Sequence, residues 1–320
     1  MIATVLLFSL WAWAGILRAR ATEHEPDLIA QDYSKTEEII NEILTETPGG
    51  NTPDMKKAGQ PDDSAAEKRK GGATNDSATA EKKAAPASTS GPEKKNSTSG
   101  EKSSPTVTSE EAVLLKTGID FFNSGLYEHS LKKFQELVTK YPQGTFKDSA
   151  RFWLGKIQLR LYRYDDAIKE FSAVSPDSGD YPASIYYSGE SCQMKGDQIS
   201  SIEYYQRVYA QFPVHELADK ALLNIGRLYM NQKKGPQALD SAVKLVKNYK
   251  DRDTVDDAYY LMGNIYEKDP LLKDIEIARK IYRQFIKNGS TDDRFGKSPL
   301  KKRVQEDLAR IEKMYFKMEQ

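Results

Sequence analysis

The chain has one cysteine, Cys192, among 320 residues. A lone cysteine excludes an intramolecular disulfide and any metal site built on several thiolates. Histidine is almost as scarce: His24, His129 and His215 are the three. None has a Cys, His or carboxylate partner at metal-ligand spacing. Neither sign of charge is in excess, because Lys+Arg and Asp+Glu balance at 47 each. No global field draws such a protein to nucleic acid or to an anionic membrane. A Gly-rich phosphate loop and a G-x-S-x-G elbow are both missing. The expectation is no catalytic residue, no cofactor, no metal and no nucleic-acid partner. Cys192 reads as a packed small hydrophobe. The acidic pairs Asp165-Asp166, Asp256-Asp257 and Asp292-Asp293 read as helix-start carboxylates favoured by the dipole.

Apolar residues are also in short supply, at 38% against 29% charged. The shortfall lies between Thr22 and Ser109, where Lys, Glu, Ala, Ser, Thr, Gly, Pro, Asn and Asp dominate. Such a composition buries too little surface to offset its conformational entropy, so residues 22–109 are expected to be a disordered linker. One interruption stands out. Ile39, Ile40, Ile43 and Leu44 form an i, i+3/i+4 cluster within 34–47. It predicts a short amphipathic helix, read as transient in preference to a docking motif.

Ahead of the linker, Ile2 to Leu17 is almost wholly apolar. The run is short for a membrane span, which needs about 20 residues, and has the length of a signal h-region. Ala19-Arg20-Ala21 supplies an A-x-A site. Residues 1–21 are expected to be a cleaved signal peptide, with an uncleaved anchor through residues 2–17 as the alternative. Arg18 and Arg20 follow the run and no basic residue precedes it, which leaves a cytoplasmic orientation as a third reading. No Cys follows the run, which argues against a lipoprotein anchor.

What the chain does have is a repeat. Gly118, Gly155, Gly189, Gly226 and Gly263 are separated by 37, 34, 37 and 37 residues. Each follows an apolar or aromatic stretch in a predicted helix, such as Phe152-Trp153-Leu154 or Tyr259-Tyr260-Leu261-Met262. Glycine inside a helix costs about 1 kcal/mol against alanine. Its recurrence implies close approach of a partner helix. Twelve residues beyond the first four glycines stand Ser130, Ala167, Ser201 and Ala238; four further on stand Phe134, Phe171, Tyr205 and Ala242. Leu137, Val174, Val208 and Leu245 complete one face of a second helix. Ala278, Tyr282 and Phe285 repeat the order in a fifth unit, after about three extra residues near Asp269-Pro270-Leu271. Asn123-Ser124-Gly125, Lys195-Gly196-Asp197 and Lys233-Lys234-Gly235-Pro236 mark turns, with Gly expected as a left-handed cap. Tyr141-Pro142, Ser175-Pro176 and Phe212-Pro213 end second helices.

From Ala112 to Ile286 this pattern resembles the tetratricopeptide repeat (TPR). The resemblance implies an all-α fold: a right-handed α-solenoid of about five helical hairpins over 110–297. The repeats lie near 111–144, 148–177, 182–215, 219–250 and 256–288. A helix over 298–320, with Ser298-Pro299 at its start and a stripe of Leu300, Val304, Leu308, Ile311, Tyr315 and Met318, is expected to cap it. The joins around Tyr141-Pro142, Phe212-Pro213 and Tyr249 look like those of bacterial envelope repeat proteins, of the Tol-Pal-associated periplasmic type and the outer-membrane-assembly lipoprotein type. That likeness implies a periplasmic adaptor.

The first helices of stacked hairpins line a concave wall. By phase, the expected wall carries Phe152, Tyr186 and Tyr260, with Leu115 and Leu223. Lys156, Glu190, Arg227 and Asn264 follow one turn on, with Ile119. Asn123, Arg160, Met194, Asn231 and Lys268 come next. A wall with aromatics, amides and excess positive charge suits an extended peptide or a helix of acidic character. The aromatics have a second reading, in which they pack between neighbours. The expected function is a non-enzymatic interaction scaffold of the cell envelope. It serves outer-membrane assembly, cell division or wall synthesis, and its partner is an envelope protein. The alternatives are a peptidoglycan-associated structural protein or a regulatory subunit of a wall enzyme. Membrane contact is expected only through the N-terminal segment, if uncleaved.

Overall fold

The computed structural model describes residues 38, 40–45 and 109–316. The apolar run at 2–17, residues 1–37 and 46–108, Ile39 and the last four residues, Met318 among them, lie outside the described residues. Among the described residues there are helices and no strand. A short helix α1 spans residues 40–45. Five hairpins follow: α2 (Ser109–Asn123) with α3 (Tyr127–Lys140), α4 (Lys147–Arg160) with α5 (Tyr164–Ser172), and α6 (Tyr181–Lys195) with α7 (Gln198–Gln211). Then come α8 (Ala218–Asn231) with α9 (Gly235–Asn248), and α10 (Val255–Lys268) with α11 (Ile275–Asn288). The short α12 (Asp293–Gly296) and the closing helix α13 (Lys301–Tyr315) end the chain's described part. No described helix is long and apolar enough to cross a membrane.

The repeated glycines sit where a second-helix ring lies flat against the first helix. A Cβ on Gly118 would meet the Phe134 ring at 2.6 Å, and one on Gly155 the Phe171 ring at 2.5 Å. Tyr205 holds Gly189 in the same way at 3.0 Å, and Tyr282 lies against Gly263. The exception follows from sequence. Ala242 stands where the others carry a ring, and Leu261 of the next hairpin fills the space above Gly226 at 2.8 Å. The small residues have a further role. Ser130 and Ser201 donate to the carbonyls of Gly118 and Gly189 at 2.7 and 2.8 Å. Where alanine replaces serine, only the close approach persists.

The first two of these rings also reach the next hairpin. Phe134 stacks on Trp153 with centroids 6.2 Å apart, and Phe171 stacks on Tyr187 at 5.9 Å. The core is therefore a row of clusters, each shared by neighbours. First helices of neighbouring hairpins touch directly, α2 with α4, α4 with α6 and α8 with α10, whereas second helices have no comparable mutual contact. This spacing curves the stack around the first helices.

The turn inside each of the first four hairpins carries one left-handed residue, seven positions past the repeated glycine. Gly125 (φ 75°) and Gly196 (φ 92°) supply it in hairpins one and three. Tyr162 (φ 61°) and Lys233 (φ 58°) are forced into it in two and four. Gly235 is thus not the cap that the sequence suggested. It opens α9, where the Asp269 carboxylate packs against it and leaves no room for a Cβ. A left-handed β-carbon costs about 1–2 kcal/mol, part of which glycine returns as unfolded-state entropy. Tyr162→Gly and Lys233→Gly are each expected to raise stability by about 0.5–1 kcal/mol, read as a higher urea midpoint at unchanged m-value.

A second recurrence was not anticipated. Seven residues before the glycines stand Glu111, Asp148, Asp219 and Asp256. Glu111 accepts from the Phe146 N–H at 2.8 Å, and Asp219 accepts from the Thr254 hydroxyl at 2.7 Å. Both donors lie at the start of the next hairpin. These carboxylates do more than face a helix dipole: they pin one hairpin to the next. The extra residues of hairpin five fold around Asp269, which accepts from the N–H groups of Leu271 and Leu272 at 2.9 and 3.1 Å.

At the C-terminal end α12 inserts Phe295 edge-on between Tyr259 and Phe285, at 5.2 and 5.1 Å. Helix α13 then lays Val304 and Ile311, both fully buried, onto α11. Tyr315 of the expected stripe is exposed, and Phe316 takes its place by stacking on the Arg279 guanidinium at 3.6 Å. The helix near residue 40 is also placed: Ile40 and Ile43 are buried in the cluster that holds α9, α10, α11 and α13. The rest of the expected helix within 34–47 lies outside the described residues.

Candidate functional site

The wall formed by the first helices divides into a packed floor and an open rim. Phe152 and Tyr186 belong to the floor. Phe152 packs against Trp153, Phe171 and Tyr187. Tyr186 packs against Tyr187 and Tyr205, and its hydroxyl accepts from Asn224 at 3.1 Å. Burial pushes the Tyr186 phenol up to about 12. Tyr260 is covered by the closing helix: its hydroxyl donates to Asp307 at 3.2 Å and Arg303 lies over its ring. The aromatic strip is therefore packing between neighbours, the second of the two readings. Period alone does not separate an aromatic on a wall from one in the seam beneath it.

The rim carries the polar residues that the repeat phase placed there. Asn123, Arg160, Met194, Arg227, Asn231 and Lys268 are exposed, Met194 by 55%. Arg227 is already paired, with Asp257 at 2.5 Å. Asn264 donates to the Tyr260 carbonyl at 2.9 Å and accepts from Lys268. That end of the wall is internally satisfied.

The middle is not. Lys156 projects from α4 over four rings: Trp153 at 4.8 Å, Tyr187 at 5.0 Å, Phe152 at 5.5 Å and Phe122 at 5.6 Å. Burial pulls its pKa down, as does the charge of Arg160, while Glu190 pulls it up. Glu190 on α6 is half-buried, and burial pushes its carboxyl up against the opposing pull of Arg160 and Lys156. Among the described residues none of these three closes a direct ion pair, although Arg163–Glu128 and Lys195–Asp165 bridge neighbouring hairpins. The result is an ammonium held on an aromatic bed, a guanidinium beside it, and both open to a partner. Phe122, Trp153, Tyr187 and Asn224 join this site without having been expected in it. Trp153 and Tyr187 each follow a predicted wall residue, which was the available signal.

Cys192 is buried and its thiol is pushed up by burial. His215 accepts from the Leu217 N–H at 3.2 Å ahead of α8, and His129 is exposed beside Phe121. Among the described residues no group of three or more His, Cys, Asp or Glu is placed to hold a metal ion.

The family model of the tetratricopeptide repeat matches residues 257–288, the fifth hairpin. No curated protein sequence matches the chain. Among solved structures, a tetratricopeptide repeat protein from Parabacteroides merdae is 14% identical with a TM-score of 0.50, over 66% of this chain and 75% of that one. A MamA protein is 17% identical with a TM-score of 0.48, over 57% of this chain and 96% of that one. PilF of Pseudomonas aeruginosa is 12% identical with a TM-score of 0.46, over 65% and 93%. The first of these likenesses speaks to fold alone. Five hairpins stand in one phase, each glycine seated against its own repeat's ring or the next repeat's leucine, and the fifth hairpin, residues 257–288, matches the tetratricopeptide repeat.

Proposed function

We propose that the solenoid is a scaffold of the bacterial cell envelope that holds an acidic segment of a partner protein, extended or helical, along its first helices. The observation that carries the reading is the half-buried Lys156 on its four rings, with Arg160 one turn away and no carboxylate bound to either. A half-buried cation that rests on rings and closes no ion pair gains when a carboxylate arrives, because charge-assisted hydrogen bonds contribute about 1.5–3 kcal/mol. Met194, exposed and adaptable, offers apolar contact beside it. The exported location rests on the apolar run at 2–17 and the Ala19-Arg20-Ala21 site that follows.

The test is photo-cross-linking in intact cells with a diazirine residue at Met194. Adducts with envelope proteins are expected, and Lys156→Gln with Arg160→Gln should weaken capture about 10- to 100-fold, as loss of one charge-assisted contact implies. Thermal unfolding should fall only modestly, since neither cation closes an ion pair within the fold and the double variant loses the contact of Lys156 with its rings, about 0.5–2 kcal/mol. Adduct patterns identical in the double variant would overturn the acidic-segment reading. Adducts confined to cytoplasmic proteins would overturn the location. Sedimentation with purified wall in the absence of any protein partner would instead support the peptidoglycan alternative.

A further inference from the structure

A second surface lies on the opposite side of the stack, on the second helices of the last two hairpins. There α1 is seated with Ile40 and Ile43 in the core and Leu44 packed beside them. Glu42 meets Lys247 of α9 at 3.6 Å. Asn41, Leu44 and Thr45 share a cavity of about 390 Å³ with Lys280, Arg283, Gln284 and Lys287 of α11. The occupant's stretch of sequence is acidic, with Glu37, Glu38, Glu42 and Glu46. The rim is basic, with Lys247, Lys280, Arg283 and Lys287.

The repeat itself shows that this slot is particular to α9. Val243 is buried, yet the same repeat position holds Gln135, Ser172 and Gln206 in hairpins one to three, all exposed. An apolar residue has been placed where the outer face is otherwise wet. Even a helix over the whole of the expected 34–47 would be marginal in water on its own, since isolated helices shorter than about 12–15 residues rarely persist. Helix α1 is held by two isoleucines and one long ion pair, which makes it replaceable.

We propose that the outer face of α9 and α11 is a docking slot for an acidic amphipathic helix of a partner protein, and that α1 occupies it as a tethered competitor. Tethering gives α1 a high effective concentration, so a partner helix enters when α1 is outcompeted or pulled away. The slot uses none of the groove residues around Lys156, so it stands or falls independently of the function proposed above.

The test uses the full chain and a fluorescein-labelled peptide of residues 34–47 as the probe. Ile40→Asp with Ile43→Asp empties the slot. Peptide binding to this variant is expected to be about 10-fold or more tighter than to the wild type, because the competitor has been removed. Adding Val243→Asp should abolish that binding. Glu42→Lys keeps both isoleucines and sets like charge against Lys247; it should give an intermediate gain, which guards against a variant that merely misfolds. Equal binding to wild type and variant overturns the proposal, as does absence of binding to a variant whose thermal unfolding matches wild type. Concentration-dependent dimers that exclude the peptide also overturn it, by making a second copy the occupant.

Discussion

Phe171→Ala is expected to cost about 3–5 kcal/mol, and to reverse the sign of a second change at Gly155. Phe171 is buried against its own hairpin's Gly155, against Phe152, and against Tyr187 of the next hairpin. Its loss opens a cavity in the seam between two repeats, where neither neighbour is free to collapse into it. In the wild type, Gly155→Ala sets a methyl 2.5 Å from that ring. The overpacking, about 1–3 kcal/mol, exceeds the gain of about 1 kcal/mol in helix propensity. In the Phe171→Ala background the ring is gone and only the gain is left. Denaturation of the two single variants and the double variant should therefore show a coupling energy of about 1–3 kcal/mol. Additive costs would mean that the glycines recur for some reason other than the ring. The chain contains a natural counterpart: Ala242 lacks the ring, and there a flexible Leu261 end lies over Gly226. Gly226→Ala is expected to change stability by less than about 1 kcal/mol, since that leucine can move aside.

The hairpins were legible because their signals recur. One glycine in a predicted helix has many explanations; five at nearly constant spacing, each with a small residue and a ring in phase, have one. The rim of the wall followed from the same phase, and Arg160, Met194 and Asn231 are where it put them. The floor did not follow. Phe152 and Tyr186 stand one position before Trp153 and Tyr187, and the side on which a ring lies depends on how far each hairpin turns from the last. Nor was the Lys156 site legible as a unit, since its rings come from three hairpins. The junction carboxylates were missed for a different reason. Glu111, Asp148, Asp219 and Asp256 recur in four of the five hairpins, with Pro182 in the third, but acids near helix starts already have an ordinary explanation in the dipole. The donors to Glu111 and Asp219, the Phe146 backbone and the Thr254 hydroxyl, are chemically unlike, so no single motif marks the pair. The docking of α1 depends on Val243, a departure from the repeat and not an instance of it.

Ile311→Asp is expected to strip α13 from the stack at a cost of about 3–5 kcal/mol, and to leave the first three hairpins intact. Ile311 is fully buried against α11, so the change removes an apolar anchor and sets a carboxylate in its place. The clamp around it then fails together. Arg310 bridges Asp307 at 2.7 Å and Glu267, a nearly buried carboxylate that also accepts from the Tyr282 hydroxyl at 3.1 Å. Arg283 pairs with Glu312 at 2.5 Å, and Phe316 covers Arg279. Arg310→Met alone should cost about 1–3 kcal/mol, below the figure for a fully buried pair because water reaches the guanidinium. Without α13, Tyr260 loses its cover and the last face of the core is wet. In a stack where each hairpin touches only its neighbours, that damage propagates by one unit at a time. Hydrogen exchange should accelerate strongly in α10, α11 and α13, less in α8 and α9, and not in α2 to α6. Uniform acceleration along the whole stack would show instead that the five hairpins unfold as one cooperative body, and that α13 closes all of them at once.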